Sequence, residues 1–416
     1  MKHLRLSQLA IVIAAIGCAA LPEMTGVVGN TAYAQEAMRP EVGKLVQQAG
    51  DMFKAKKYRD ALGKLQETDR ISNKTVNESF TIERMRLAVA SASGDNDLII
   101  RSGEVIVAAN KLGSKEQLQL IQVLANAYYK AGNYAKAAKA YERYFAEGGT
   151  DTSLRQYLTQ AKSLSGDNAG AMKDVKAEIL AAEKAGRVPA QATLEFYASG
   201  AQRAGDKAGY QNALEKLVAF YGKKEYWVNL INALQRNKEF NSRLSMDLYR
   251  LKLAVGSIKE TKDYMEMAQM AIQDGNNGEA LKIIEAGYKA GALGTGNEAA
   301  RHGRLRDLAT KKQTEAKAAA AANEAAAEAA ADGTALVAIG FSYVTSGELD
   351  KGIAMMEKGI KKGNLKFADD ANLHLGMAYL MAGKKSNGLK VLKTVQGKDG
   401  SGDLARYWII YANQAK

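Results

Sequence analysis

One block of the chain, residues 121–141, constrains the fold most strongly, because it holds two helical patterns separated by a single glycine. In its first half Leu124, Ala125 and Tyr128 are spaced so that they lie on one face of a helix. Gly132 follows, and glycine is the residue that most readily adopts the left-handed conformation in which helices end. The block therefore predicts a first helix that stops close to Gly132.

The residues after Gly132 predict a second helix that packs against the first. Tyr134, Ala137 and Tyr141 stand at i, i+3 and i+7, which again places them on one helical face. Small side chains at Ala125 and Ala137 allow the two backbones to approach closely, and the tyrosines fill the space around them. The whole block thus predicts a helix–turn–helix unit with small residues at its centre.

Weaker copies of this unit recur along most of the chain. Copies with a turn glycine are centred on Gly166, Gly275, Gly347 and Gly383. A copy without that glycine lies at the front and carries Met52, Tyr58, Ala61 and Leu65. Residues around Gly94 and Gly205 form helical pairs that match the pattern poorly. A recurring unit of this kind predicts a structure built by stacking.

The recurring unit resembles the tetratricopeptide repeat (TPR), a helix–turn–helix of about 34 residues that stacks into an α-solenoid. The match covers residues 41–393 loosely, and residues 118–145, 333–359 and 369–393 well. The resemblance implies an all-α fold and a function in binding other proteins or peptides. It does not name the partner.

Composition supports an all-α chain. Beyond residue 34 the only prolines are Pro40 and Pro189, and long stretches are rich in the strong helix formers Ala, Leu, Lys and Glu. From residue 35 to 294 we expect an N-terminal block of TPR-like repeats. Residues 295–332, which include an alanine-rich run, predict a helical connector, and residues 333–416 predict a C-terminal repeat pair with a capping helix.

The first 34 residues have the features of a secretory signal peptide. Lys2 and Arg5 precede an apolar run at residues 9–21, and small residues lead to a predicted cleavage after Ala34. Export to a periplasm follows from this interpretation. Two alternatives remain open, an uncleaved anchor and lipidation at Cys18, which would tie the protein to a membrane.

The formal net charge of +13 indicates an acidic envelope component as one class of partner. The alternative is an ordinary solvated surface, because basic and acidic residues are interleaved along the helices. Cys18 is the only cysteine, so a cleaved chain has no thiolate for zinc binding or nucleophilic catalysis. No pattern indicates nucleic-acid binding.

Residues that could carry catalysis are few. His302 and His374 lack ligand partners at metal-binding spacing, and we expect both at helix surfaces or boundaries. Glu78 and Ser79 resemble the Glu-Ser pair of lytic transglycosylases, but the stretch that should follow is missing. We therefore predict no catalytic residue, metal or cofactor, and we keep a cell-wall enzyme with Glu78 as its acid as an alternative.

The resemblance implies that side chains of first helices outside the core line a concave groove. In the best repeat these are Asn126, Tyr129 and Lys130, together with Gln119 and Gln122. The next repeat adds Ser153, Gln156, Gln160 and Ser163. Amides, hydroxyls and an aromatic ring suit an extended peptide or a glycan.

The last two repeats carry a second candidate surface, an apolar stripe. Its residues are Val337, Phe341, Val344, Leu373, Met377, Leu380 and Met381. The lysines beside it are Lys351, Lys358, Lys361, Lys362 and Lys366, which would suit an acidic amphipathic partner.

Three alternatives would cover this stripe: closure of the solenoid on itself, the helix at residues 403–411 folding back, or self-association. Taken together, the sequence predicts a non-catalytic interaction scaffold of the bacterial cell envelope. A carrier or receptor for an apolar anionic ligand or lipid is the alternative based on the stripe.

Overall fold

A computed structural model of the 416-residue chain describes residues 38–414, and the signal-peptide prediction for residues 1–34 lies outside them. The described residues form α-helices joined by turns, with two short 3-10 turns and no β-strand. This confirms the all-α prediction. Within the same residues no helix is both long and apolar enough to cross a membrane.

The described chain forms two compact units, with the division between Ala181 and Ala182. The helices of the first unit are α1 (Pro40–Lys54), α2 (Tyr58–Glu67), α3 (Val76–Ser93), α4 (Asn96–Ala108), α5 (Ser114–Lys130), α6 (Tyr134–Ala146), α7 (Leu154–Leu164) and α8 (Asn168–Lys184), which runs past the division. Helix α1 packs against α2, α3 against α4, and α5 against α6. Successive hairpins also pack on each other, as expected of stacked repeats.

The second unit continues with hairpins of the same kind. Its helices are α9 (Gln191–Arg203), α10 (Lys207–Tyr221), α11 (Lys224–Gln235), α12 (Ser245–Ala254), α13 (Thr261–Gln273), α14 (Asn277–Lys289), α15 (Ala299–Ala318), α16 (Ala320–Ala329), α17 (Thr334–Ser346), α18 (Leu349–Lys362), α19 (Ala368–Met381), α20 (Lys385–Leu392) and α21 (Ser401–Gln414). The sequence boundaries at residues 294 and 332 both fall inside this unit.

Most turns inside the hairpins are built from a glycine and the residue that follows it. The turn glycines have positive φ angles, namely Gly94, Gly132, Gly166, Gly205, Gly275, Gly347 and Gly383. In several repeats the next residue is Asp or Asn, and its side chain caps the following helix. Asp95 accepts from the backbone N–H of Leu98 at 3.0 Å, and Asp206 accepts from that of Gly209 at 2.8 Å. Glycine thus ends one helix and its neighbour begins the next.

The front hairpin, which lacks the turn glycine, keeps the same backbone conformation. Lys56 stands in the place of the glycine, and its φ angle is +58°. A residue with a Cβ atom is strained in this left-handed region. The turn geometry is therefore imposed by the packing of α1 on α2.

Small residues lie where the paired helices approach most closely. Ala125 and Ala137 are fully buried between α5 and α6. In the hairpin α17–α18 both places are taken by glycine. A Cβ added at Gly340 would lie 2.7 Å from the carbonyl oxygen of Gly352, and one added at Gly352 would lie 2.4 Å from that of Gly340. Only glycine at these two positions allows so close an approach.

The last helix, α21, packs against α19 and α20 and also against α10, near the start of the second unit. Leu404 and Tyr407 on α21 are fully buried. The side chain of Gln211 donates to Asp403 Oδ1 at 2.6 Å and to the hydroxyl of Tyr407 at 2.9 Å. The second unit is therefore closed, because its last helix contacts one of its first.

Candidate functional site

The groove predicted on α5 and α7 contains a cluster of aromatic side chains in the first unit. The Tyr129 ring meets the Tyr134 ring edge-on at a centroid distance of 5.4 Å, and the Tyr157 ring at 5.5 Å. Tyr157 in turn stacks on Tyr141, with centroids 6.4 Å apart. We call Tyr129, Tyr134, Tyr141 and Tyr157 the tyrosine cluster. All but Tyr141 are half-buried, so the cluster presents ring surface to solvent.

Two amide side chains are held against the tyrosine cluster by hydrogen bonds. The hydroxyl of Tyr141 donates to Asn126 Oδ1 at 2.7 Å, and that of Tyr129 donates to Gln160 Oε1 at 2.8 Å. Burial raises the pKa of both phenols, which keeps them neutral donors at physiological pH. The predicted groove residues Asn126, Tyr129 and Gln160 are thus brought to one place by Tyr141 and Tyr157.

Two lysines, Lys130 and Lys162, stand close in sequence to members of the tyrosine cluster. Lys162 is buried and contacts Glu142 at 2.7 Å and Asp174 at 2.6 Å. Lys130, which was also predicted to line the groove, is exposed at the end of α5. Lys130 follows Tyr129 directly in the sequence, whereas the side chains that contact the cluster through ring contacts and the two hydrogen bonds above are rings and amides.

Tyr157 was missed as a groove residue. It follows Val123 by one repeat, and Val123 is a buried residue of α5. The repeat register therefore assigns Tyr157 to the core, although its half-buried ring contacts Tyr129, a predicted groove residue. The signal that could have identified it is the succession of tyrosines in neighbouring repeats.

Most of the apolar stripe predicted near the C-terminus is covered by the second unit itself. Its buried residues are Val337, Phe341, Val344, Leu373 and Met377, whereas Leu380 is half-buried and Met381 is exposed. A partner could contact the buried ones only if this part of the unit opened. Binding by the stripe therefore stays a prediction, and the lipid-carrier alternative depends on the same residues.

Two buried charged residues of α12, Asp247 and Arg250, reach the covered stripe. The Phe341 ring stacks on the His374 ring at a centroid distance of 4.2 Å, and the guanidinium of Arg250 lies 4.8 Å from its centroid. Arg250 donates to both carboxylate oxygens of Glu279, at 2.9 and 2.7 Å, and His374 Nε2 lies 2.8 Å from Asp247 Oδ1. Burial alone would raise the pKa of Asp247, but its contacts with His374 and Arg250 outweigh burial and lower that pKa to about 2.

Glu78, the acid of the enzyme alternative, is a structural carboxylate in this structure. Arg39 donates to it from Nε at 2.9 Å and from Nη2 at 2.8 Å, and the backbone N–H of Thr75 donates at 2.9 Å. The hydrogen bonds from Arg39, aided by Thr75, lower the pKa of Glu78 to about 2. A glycosidase acid needs a raised pKa, so Glu78 has the opposite of the required property.

The two histidines among residues 38–414 lie in different surroundings. The His374 side chain is 23% exposed, which agrees with the predicted position at a helix boundary. The prediction is wrong for His302, which is buried. Its Nδ1 accepts a hydrogen bond from the backbone N–H of Gly294 at 3.1 Å, so its polar ring has a partner inside the unit. Between residues 38 and 414 no group of three or more His, Cys, Asp or Glu side chains is arranged to hold a metal ion.

The chain is an all-α solenoid of helix–turn–helix repeats. No protein-family model and no curated protein matches it. Among solved structures it is similar to the TPR2AB domain of yeast Sti1 in a pHSP90 complex, at 11% identity over 73% of this chain and 100% of that one, with a TM-score of 0.25.

Yeast Tom70 is 10% identical over 90% of this chain and 95% of that one, with a TM-score of 0.23. The TPR domain of P58(IPK) is 14% identical over 90% of this chain and 98% of that one, with a TM-score of 0.22. These neighbours are TPR proteins. At such TM-scores the likeness carries no argument about function, and the fold assignment rests on the hairpins themselves.

Proposed function

We propose that this protein is a non-catalytic scaffold that binds an extended segment of a partner protein at the tyrosine cluster of the first unit. The observation that carries the proposal is the half-buried set of Tyr129, Tyr134 and Tyr157 rings, flanked by the amides of Asn126 and Gln160. An array of rings and amides without strong charge recognises main chain and side-chain bulk rather than a charged group.

The chemistry of an extended peptide fits this surface. Its backbone N–H and C=O groups need partners, and an amide side chain offers both a donor and an acceptor. The tyrosine faces can bury apolar or proline side chains of the peptide. Tyr129 and Gln160 hold each other through a hydrogen bond, and Tyr141 holds Asn126. Such preorganisation lowers the entropy lost on binding.

We further propose that the scaffold acts outside the cytoplasm, in a periplasm. Residues 1–34 support this with two basic residues, an apolar run and a small-residue exit before Gln35. Mass spectrometry of the protein purified from its source cells tests this directly. A mature chain that begins at Gln35 supports export with cleavage, and a lipid-modified Cys18 supports export with a membrane anchor, whereas an intact Met1 would contradict the predicted cleavage.

A peptide-display selection against the full-length protein tests the groove. The best selected peptide is then titrated against wild type, Tyr129→Ala, Gln160→Ala and the matched control Lys139→Ala. Lys139 is exposed on α6 and lies outside the tyrosine cluster. We expect the dissociation constant to rise about tenfold or more for Tyr129→Ala, since aromatic anchors dominate such interfaces.

The same titration separates the groove from other surfaces. Gln160→Ala should weaken binding less than Tyr129→Ala, and Lys139→Ala should leave it unchanged. If every variant binds the peptide as wild type does, the tyrosine cluster is not the binding site. Circular dichroism confirms that each variant is folded.

A further inference from the structure

The alanine-rich helix α16 makes few apolar contacts with the rest of the second unit. Between Thr310 and Ala329 the only buried residue is Ala327. Alanine has little apolar area to remove from water, so burial holds this segment only weakly. Other contacts must keep α16 in place.

Those contacts are polar, and in both of the ion pairs among them α16 carries the negative charge. Glu324 and Glu328 are one helical turn apart on α16. Lys351 Nζ lies 2.7 Å from Glu324 Oε1, and Lys358 forms an ion pair with Glu328. Lys362 Nζ donates to the backbone carbonyl of residue 328 at 2.8 Å. The helix supplies the carboxylates, and α18 supplies the ammonium groups.

The three lysines form a continuous basic row. Lys351, Lys358 and Lys362 stand at i, i+7 and i+11 on α18, so they share one helical face. Tyr343 on α17 completes the row, since its hydroxyl donates to Glu324 and Lys351 Nζ lies 3.9 Å above its ring. We call Tyr343, Lys351, Lys358 and Lys362 the basic face.

We propose that the basic face is a docking site for an acidic amphipathic helix of a partner protein, and that α16 is its displaceable resident. Ion pairs at exposed side chains contribute little net stability and are screened by salt. The Lys358 and Glu328 side chains are 60% and 42% exposed, so this pair is open to competition. Helix α16 nevertheless competes well for the basic face, because its covalent link to the unit gives it a high local concentration there.

A partner helix would need two carboxylates one turn apart, as α16 has. The exchange would free α16 while a new helix occupies the basic face. This site lies in the second unit and is separate from the tyrosine cluster, so failure of either proposal leaves the other standing.

Hydrogen–deuterium exchange of the full-length protein tests whether the ion pairs hold α16 on the basic face. The variant is Glu324→Gln with Glu328→Gln, and the matched control is Glu315→Gln, an exposed carboxylate on α15 that pairs with Lys312. We expect exchange at residues 320–330 to rise several-fold in the double variant, with residues 334–362 unchanged. The control should match wild type. Unchanged exchange in the double variant would overturn the ionic anchoring.

A labelled peptide copying residues 314–332 tests docking in trans. We expect its dissociation constant to be at least tenfold lower with the Glu324→Gln, Glu328→Gln protein than with wild type, in which the tethered helix competes. Adding Lys351→Gln and Lys358→Gln should abolish binding, whereas adding Lys351→Arg and Lys358→Arg should keep it.

Each remaining outcome counts against the proposal. Equal affinity for wild type and the double variant would mean that α16 does not occupy the site. Binding that survives the lysine-to-glutamine changes would place the peptide elsewhere. Absence of binding to every protein would mean that the basic face does not accept an acidic helix.

Discussion

The guanidinium of Arg243 donates to both carboxylate oxygens of Asp370, from Nε and from Nη2, each at 2.9 Å. Arg243 lies in the 3-10 turn before α12, and Asp370 lies in the first turn of α19. Asp399, in the loop before α21, also accepts from Arg243. One side chain thus connects three segments far apart in sequence and holds the second unit closed.

Replacing Arg243 with Ala should destabilise the second unit. The change leaves two carboxylates without their shared donor, and we expect a loss of about 2 kcal/mol in the free energy of unfolding. Both tryptophans of the chain, Trp227 and Trp408, lie in this unit, so their fluorescence during urea denaturation reports it. The control is Lys384→Ala, which breaks an exposed pair with Asp350 and should cost much less, because exposed ion pairs contribute little net stability. Equal effects of the two changes would contradict a closing role for Arg243.

Lys56→Gly should stabilise the front hairpin. Glycine removes the strain of a Cβ atom at a φ of +58°, and after the entropy it adds to the unfolded chain we expect a gain of about 0.5–1 kcal/mol. Slower hydrogen exchange at residues 40–67 measures this gain. Lys57→Gly serves as the control, because Lys57 has a φ of −86° and glycine there should not stabilise.

Gly340→Ala should disrupt the hairpin α17–α18. The new Cβ atom would lie 2.7 Å from the carbonyl oxygen of Gly352, so the helices must separate, at a cost of about 1–3 kcal/mol. Tryptophan fluorescence during urea denaturation again gives the loss. Gly303→Ala is the contrasting change in the same unit, because a Cβ there meets nothing within 4 Å and alanine favours the helix. A neutral Gly340→Ala would show that the two glycines are not required for the close approach.

Glu78→Gln should remove part of the acid sensitivity of the first unit. The pKa of Glu78 is lowered from 4.5 to about 2, so the unfolded chain binds the proton more tightly than the folded one. Its contribution is therefore complete above pH 4.5 and is lost as the pH falls towards 2. Thermal melts across this range should show wild type above the variant at pH 6 and the two converging near pH 2. The exposed carboxylate Glu67 gives the control, Glu67→Gln, which should not reproduce this convergence.

Local features of the fold were predictable because they depend on neighbouring residues. The left-handed turn at Gly132 and the buried pair of Ala125 and Ala137 follow from spacing within one repeat. The groove positions Asn126 and Tyr129 came from the repeat register, which places first-helix side chains on one side. The contact of Tyr129 with Gln160 joins neighbouring repeats, and the same register could have predicted it.

Features that depend on closure of the second unit were not predictable from the pattern. Phe341 has the spacing of a surface stripe, but α12 covers it with Arg250, about ninety residues earlier in the chain. No repeat register brings these two residues together. A charge placed at Phe341 is therefore expected to disrupt the fold of this unit rather than to probe a binding groove.

The central claim is that the tyrosine cluster binds a partner, and site-specific photocrosslinking in the source cells tests it most directly. A photoreactive amino acid replaces Gln160 in one strain and Lys139 in another, because both positions are exposed and only Gln160 contacts Tyr129. The account predicts a discrete crosslinked protein from position 160, absent from position 139 and reduced by Tyr129→Ala. The same crosslinked proteins from both positions, or a crosslink at position 160 that Tyr129→Ala leaves unchanged, would contradict it.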